Sequence, residues 1–252
     1  MNKDTLRQVL ILLAVIAVIA VNILAVTLPL NDLDTGEISD RFEVYFVPAG
    51  YVFSIWSLIY LGLIAYGIFQ ALPAQKENPR LRSIGYLFVL SCLANITWLF
   101  LWHYEVFLFT LVAMLTLLLS LIAIYLRLDV GRVQVSSGEK WSVHIPFSVY
   151  LGWISVATIA NATQLLYYLG WNGWGIAPEI WAVIMLAAGV IISAAMSLRR
   201  ADIAYSLVLV WAYIGIAVKQ ASSPLVATSA WIAAGLILVI LVIGVLRKHQ
   251  QQ

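Results

Sequence analysis

The sequence predicts an all-α protein, a polytopic transmembrane helix bundle, and three observations lead to this fold class. Hydrophobic residues make up 63% of the chain and charged residues only 10%, against roughly a quarter charged residues in soluble domains. The mean hydropathy is +0.97. The apolar runs lack the alternation of a membrane β-barrel, so helices remain the structure that satisfies its own backbone in a bilayer. We therefore expect an integral membrane protein.

Apolar runs of about 20 residues mark the individual helices, because that length of helix crosses the hydrocarbon core of a bilayer. Two breaks are very short, His103-Tyr104-Glu105 and Arg199-Arg200-Ala201-Asp202, so the helices on either side of each should form antiparallel hairpins. Eight spans are expected, at 7–28, 50–71, 82–102, 105–127, 143–167, 178–198, 201–219 and 224–246.

The positive charges predict the orientation of these spans. Of the 14 Lys and Arg residues, 12 fall in one set of alternate segments, and the other set holds only Arg41 and Lys219. Because Lys and Arg collect in cytoplasmic segments, both termini should lie in the cytoplasm, with the protein in a bacterial inner membrane. The charges of the turn at Arg199, Arg200 and Asp202 are expected to be solvated.

Aromatic and amide side chains recur at helical spacing on the second, third and fifth expected helices. An amide in hydrocarbon costs on the order of 1 kcal/mol or more when it is unpaired, so these faces should point into the bundle. Two interpretations stay open: hydrogen bonds that hold the helices together, or the wall of a pocket for a flat, largely apolar ligand. The candidate residues are Trp56, Tyr60, Asn95, Trp98, Trp153, Ala157, Asn161 and Gln164.

Three segments on these helices carry a resemblance to a known family. The second helix opens with Pro48-Ala-Gly-Tyr-Val-Phe and continues to Trp56-Ser-Leu-Ile-Tyr60. The third contains Asn95-Ile-Thr-Trp98, and the fifth contains Trp153-Ile-Ser-Val-Ala-Thr-Ile-Ala-Asn161. In order and in helix placement these segments resemble the TspO/MBR family, the tryptophan-rich sensory proteins related to the mitochondrial translocator protein.

The resemblance covers roughly residues 6–169 and implies a five-helix ligand-binding bundle over 1–169, followed by a three-helix membrane extension over 170–252. It implies a pocket for porphyrins, haem-related tetrapyrroles or sterols. Family roles range from transport to sensing to light-dependent porphyrin breakdown. The pocket residues implied by the resemblance are Trp56, Asn95, Trp98, Trp153 and Asn161.

The chain departs from the family pattern in the second helix and the first loop. The run from Gly50 to Trp56 is one residue shorter than in the family, which is about 100° of helical rotation. Either the turn at Pro48 or the direction of Trp56 must therefore differ. The first loop lacks the family's Trp-rich segment, and the aromatic residues expected to cover the pocket in its place are Phe42, Tyr45 and Phe46.

Residues for catalysis and metal binding are sparse. No nucleophile triad, phosphate loop or metal-ligand spacing occurs, so the sequence names no catalytic or metal-ligating residue. We expect His103 to be a solvated loop residue, with axial haem ligation as the weaker alternative. Trp211 lies mid-span in the extension and either packs or lines an extended cavity, with packing favoured.

These observations predict a membrane receptor or carrier for a flat hydrophobic ligand. It requires no cofactor, although a porphyrin or haem-like tetrapyrrole is the expected bound molecule. The alternatives are a secondary transporter of a small hydrophobic solute, a light-dependent porphyrin-degrading enzyme and a structural scaffold. Expected partners are membrane lipid, the hydrophobic ligand and a second copy in a homodimer. The basic residues are explained by topology, so we expect no nucleic acid.

Overall fold

The structure, a computed structural model, describes residues 2–28, 30–33 and 35–250. These residues form helices joined by turns and irregular segments, and no strand occurs among them. The helices are α1 Lys3–Thr27, α2 Thr35–Asp40, α3 Ile55–Ala71, α4 Pro79–His103, α5 Phe107–Arg127, α6 Ser137–Glu139, α7 Ile145–Tyr168, α8 Pro178–Arg200, α9 Ile203–Lys219 and α10 Pro224–Gln250.

The helices confirm the all-α membrane bundle. Within the described residues, seven helical stretches are long and apolar enough to cross a membrane. The remaining expected span is α9, which has 17 residues and is therefore about 25 Å long. This is slightly less than the thickness of the hydrocarbon core of a bilayer, about 30 Å. Both short breaks are present. Glu105 and Ala201 adopt φ angles of 58° and 49°, and this left-handed conformation reverses the chain within a few residues.

The fifth span begins earlier than the sequence indicated. The Ser136 hydroxyl accepts a hydrogen bond from the Glu139 backbone N–H and caps the short helix α6. A π-helical turn, Lys140–His144, then leads into α7, so the helical stretch starts at Ser137 and not near 143.

Two groups of helices make up the bundle. Helices α1, α3, α4, α5 and α7 pack together, α8 and α9 pack on α10, and the two groups meet where α9 lies against α7. Gly152 permits that approach, because a Cβ there would lie 3.1 Å from the Tyr205 carbonyl oxygen and 3.1 Å from Val208 Cβ. Large apolar side chains such as Leu119 and Ile191 are exposed on the outside of the bundle, as expected for a surface in lipid.

The end of the bundle where α1 begins and α10 ends, here called the termini end, carries buried charges in pairs. Arg80 donates two hydrogen bonds, of 2.6 and 2.7 Å, to the buried Glu139 carboxylate. The Arg7 guanidinium, also buried, contacts Asp4 at 2.8 Å and the Lys76 carbonyl oxygen at 2.7 Å. A charged side chain can be buried when a partner charge and hydrogen bonds offset its removal from water, as they do here.

The turn between α8 and α9 lies at the same end, and the expectation that its charges are solvated is wrong for Asp202. Its residue is 6% exposed. The hydroxyls of Tyr125 and Ser148 each donate to Asp202 Oδ2 at 2.7 Å, and the Tyr205 backbone N–H donates to Oδ1 at 3.1 Å. Asp202 is buried because the start of α9 lies against α7 and the Tyr125 side chain of α5 reaches it, so the carboxylate joins the two groups of helices.

Arg200 in the same turn is also largely buried, with 10% of its side chain exposed. Its guanidinium donates to Asp129 at 3.1 Å and to the Val130 carbonyl oxygen at 2.8 Å. It also lies 5.1 Å from the centroid of the Tyr125 ring, a cation–π geometry. Arg200, whose charge the sequence analysis explained by membrane topology, therefore also packs against the turn after α5.

Candidate ligand-binding site

A cavity of about 50 Å³ lies toward the opposite end of the bundle, here called the roof end. Its walls come from α3, α4, α5 and α7, and it is covered by residues 35–54, here called the roof segment. This segment includes α2 and the 3₁₀ turn Gly50–Ser54. The lining residues are Thr35, Ser39, Val47, Pro48, Phe53, Trp56, Trp98, Trp102, Met114, Trp153, Val156, Ala157, Ala160, Asn161 and Gln164.

Most of the candidate residues meet at this cavity. Those that line it are Trp56, Trp98, Trp153, Ala157, Asn161 and Gln164. The other two candidates are not among its described lining residues. Tyr60 stacks against Trp56 with ring centroids 5.6 Å apart. Asn95 accepts a hydrogen bond from Asn22 at 2.9 Å and donates one to the Tyr150 hydroxyl at 3.1 Å. Ligand contact by either remains a prediction.

Trp56 faces the cavity even though the run before it is short. The residues Gly50–Ser54 form a 3₁₀ helix, which turns about 20° more per residue than an α-helix. Over this stretch the additional rotation is about 100°, which offsets the missing residue. In this chain the 3₁₀ turn after Pro48 therefore sets the direction in which Trp56 faces the cavity.

The amides in the wall are paired across helices. Asn161 accepts from the Trp98 indole N–H at 3.4 Å and donates to the Thr110 hydroxyl at 3.0 Å, and so joins α7 to α4 and α5. Gln164 donates to the Ser39 hydroxyl at 2.7 Å and holds the roof segment on α7. The interpretation as hydrogen bonds between helices is confirmed, and the same side chains line the cavity. Their contact with a ligand stays a prediction.

Trp153 differs from these residues because its polar atom is unpaired. The residue is 2% exposed, and its Nε1 has no hydrogen-bond partner among the described residues. The rings of Phe53 and Trp56 meet its ring edge-on, with centroids 5.6 and 6.2 Å away. An unpaired buried N–H is costly, so a ligand with a hydrogen-bond acceptor would gain from reaching it.

The described lining residues include no Asp, Glu, Lys, Arg or His. The wall consists of indole and phenyl rings, aliphatic groups, hydroxyls and amides. Such a wall suits an uncharged, largely apolar group with a few polar atoms.

Sequence reasoning missed the residues of the roof segment that line the cavity, which are Thr35, Ser39, Val47, Pro48 and Phe53. Thr35, Ser39 and Val47 lie in a segment without periodicity, so no local pattern could assign them. Pro48 and Phe53 belong to the segment Pro48-Ala-Gly-Tyr-Val-Phe that carries the family resemblance. Trp102 is different, because its spacing places it on the face of α4 that carries Asn95 and Trp98. It lines the cavity and stacks on Trp98 at 5.5 Å.

The three aromatic residues expected to cover the pocket belong to the roof segment and anchor it to the helices. They are not among the described lining residues of the cavity. Phe42 packs edge-on against Phe107, with centroids 5.1 Å apart, and Phe46 against Tyr213 at 6.2 Å. The Tyr45 hydroxyl donates to Glu179 at 2.8 Å. This hydrogen bond to a carboxylate raises the pKa of Tyr45, with some contribution from burial.

His103 is buried, so its assignment as a solvated loop residue is wrong. It is 0% exposed. Its Nε2 lies 3.0 Å from the Thr35 hydroxyl and its Nδ1 lies 3.1 Å from the Leu30 carbonyl oxygen. Both ring nitrogens are therefore engaged with the chain around α2, and axial haem ligation would require breaking one of these contacts.

Trp211 packs, as expected, against the start of the second span. Its indole N–H donates to the Val52 carbonyl oxygen at 3.2 Å, and its ring meets Tyr51 edge-on at 5.3 Å. It is not among the described residues that line the cavity.

Comparison with known proteins identifies the family of the chain. The chain matches the sequence model of a family described as TSPO-like protein over residues 8–243. The match includes the last three helices, which the resemblance noted from the three segments had not covered. No curated protein and no solved structure matches the chain. Because the family match spans most of its length, the chain belongs to the TSPO-like protein family.

Proposed function

We propose that this membrane protein is a receptor or carrier that binds a flat, largely apolar molecule, such as a porphyrin, another tetrapyrrole or a sterol, in the cavity under the roof segment. The observation that supports this most is the buried, unpaired N–H of Trp153 in an aromatic wall. Folded proteins rarely leave such a donor unpaired, and a ligand acceptor would satisfy it.

The wall also restricts the class of ligand. Since no charged side chain is among the described lining residues, the part of the ligand that enters should be neutral, with a carbonyl, ether or ring-nitrogen acceptor facing Trp153. A carboxylate, such as a porphyrin propionate, should remain outside the aromatic wall, because burying it without a partner is costly.

The proposed orientation places both termini in the cytoplasm of a bacterial cell, with the protein in the inner membrane. The distribution of Lys and Arg favours this orientation. The cavity would then lie in the outer half of the membrane, with the roof segment at the outer surface.

Titration of the purified protein in detergent with protoporphyrin IX tests the proposal. Binding should saturate, and Trp153→Phe should raise the Kd roughly two- to tenfold, because one hydrogen bond is lost while most of the aromatic surface remains. Changes in the porphyrin absorption band and in tryptophan fluorescence report the binding.

The matched control is Trp231→Phe, since Trp231 is 52% exposed on α10 and is not among the described lining residues. Its Kd should equal that of the wild type. Non-saturating quenching in the wild type, or equal Kd values for all three proteins, would contradict the proposal.

Light-dependent breakdown of the bound porphyrin is the second candidate, and the indoles of Trp56 and Trp153 favour it because both line the cavity with their centroids 6.2 Å apart. Under illumination the bound porphyrin should lose its absorption band in the wild type. That loss should slow in Trp56→Phe and Trp153→Phe at equal occupancy. Equal rates in all proteins would exclude indole participation.

A further inference from the structure

We infer that helices α8 and α9 control access to the cavity by holding the roof segment closed. The inference rests on the proposed function, since it concerns the same cavity. It assigns Tyr45, Gly215 and Lys219 as positioning residues, which act on the shape of the site through the roof segment.

The roof segment is the least regular wall of the cavity, and Phe46 and Val52 connect it to the hydrophobic core. The cavity has a volume of about 50 Å³, whereas pockets for drug-sized ligands are roughly 300–1,000 Å³, so a wall must move to admit a porphyrin or a sterol. The other walls are long helices packed in the hydrophobic core. The roof segment contains only α2 and a 3₁₀ turn between irregular stretches, and such segments open more readily than packed helices.

Polar contacts tie the roof segment to the C-terminal helices. Asp40 pairs with Lys219 at the end of α9, at 2.5 Å, and Tyr45 donates to Glu179 at the start of α8, at 2.8 Å. Gln220 donates to the Val44 carbonyl oxygen at 3.4 Å. The Asp40 side chain is 64% exposed, so its ion pair is weak and easily broken. We call the contacts of Asp40 with Lys219, Tyr45 with Glu179 and Val44 with Gln220 the latch, because they hold the roof segment on α8 and α9.

Behind the cavity wall, α9 packs directly on the roof segment. The Ala49 backbone N–H donates to the Gly215 carbonyl oxygen at 3.1 Å. A Cβ at Gly215 would lie 3.1 Å from Cβ of Pro48, a lining residue, and would overlap Cγ2 of Val52. The absence of a side chain at Gly215 therefore sets the position of the roof segment over the cavity.

The reactivity of a cysteine placed under the roof segment measures how often that segment opens. Cys92, the natural cysteine, is replaced by Ala, and Val47, a lining residue that is 2% exposed, is replaced by Cys. In this background Tyr45→Phe with Lys219→Gln should raise the rate of labelling by a water-soluble maleimide roughly three- to tenfold, because two weak ties are removed.

A matched control makes the same chemical changes away from the roof segment. Lys248→Gln removes a contact with the Gly131 carbonyl oxygen at the termini end, and Tyr86→Phe alters a tyrosine on α4 that is 57% exposed. This double variant should label at the background rate. The protein with Tyr45→Phe and Lys219→Gln is here called the latch variant. Gly215→Ala displaces the roof segment by steric overlap and changes no charge, and it should also raise the labelling rate.

The labelling rate requires no ligand, so the two proposals can fail separately. If the latch variant and Gly215→Ala, with intact melting temperatures, label like the control, the inference is overturned whatever the titration shows. Faster labelling without saturable protoporphyrin IX binding would support control of the roof segment and count against the proposed ligand. Faster labelling together with faster porphyrin association would support both.

Discussion

Asp202→Ala should lower the free energy of unfolding by about 2–4 kcal/mol, because it leaves several buried donors without an acceptor. The Tyr125 and Ser148 hydroxyls and the Tyr205 backbone N–H all donate to this carboxylate. The substitution also removes the N-cap of α9, which contributes about 1 kcal/mol on its own. Unfolding of the detergent-solubilised protein by heat or by a denaturing detergent measures the loss.

Partial substitutions distinguish this network from a general effect of removing a charge. Tyr125→Phe and Ser148→Ala each remove one donor while Asp202 keeps the others, so each should cost less than Asp202→Ala. Glu77→Ala, at a carboxylate with 79% of its side chain exposed, should be nearly neutral. An Asp202→Ala protein as stable as Glu77→Ala would show that the carboxylate does not hold α9 against α5 and α7.

Gly244→Ala should cost about 1–3 kcal/mol, because it forces α8 and α10 apart. A Cβ at Gly244 would overlap the Ser197 carbonyl oxygen and lie 2.8 Å from the Ser197 carbonyl carbon. These are backbone atoms, so no change of side-chain rotamer relieves the overlap. The same unfolding measurement reports the effect.

Gly235→Ala on the same helix is the control for this prediction. A Cβ at Gly235 would meet nothing within 4 Å, and alanine is the better helix former by roughly 1 kcal/mol. This variant should be as stable as the wild type or more stable. If the two alanine variants behaved alike, close packing of α8 on α10 would not contribute measurably to stability.

The sequence predicted the site best where residues repeat along one helix. Trp153, Ala157, Asn161 and Gln164 occupy one face of α7, and all line the cavity, because helical periodicity places them on one side whatever the helix packs against. The same reasoning predicted that Asn95 faces inward, and Asn95 is buried in a network with Asn22 and Tyr150. A shared face predicts that a side chain points inward, but not which inward-facing group it meets.

By itself the sequence determined the membrane location, the approximate positions of the membrane helices and the wall that α7 contributes, since these depend on local hydrophobicity and helical spacing. The tertiary structure decided the burial of His103 and Asp202, the roof over the cavity and the packing of Trp211 on Val52. That last contact joins residues 159 positions apart. Contacts of this kind depend on how the helices pack against each other, and no local pattern in the sequence encodes that packing.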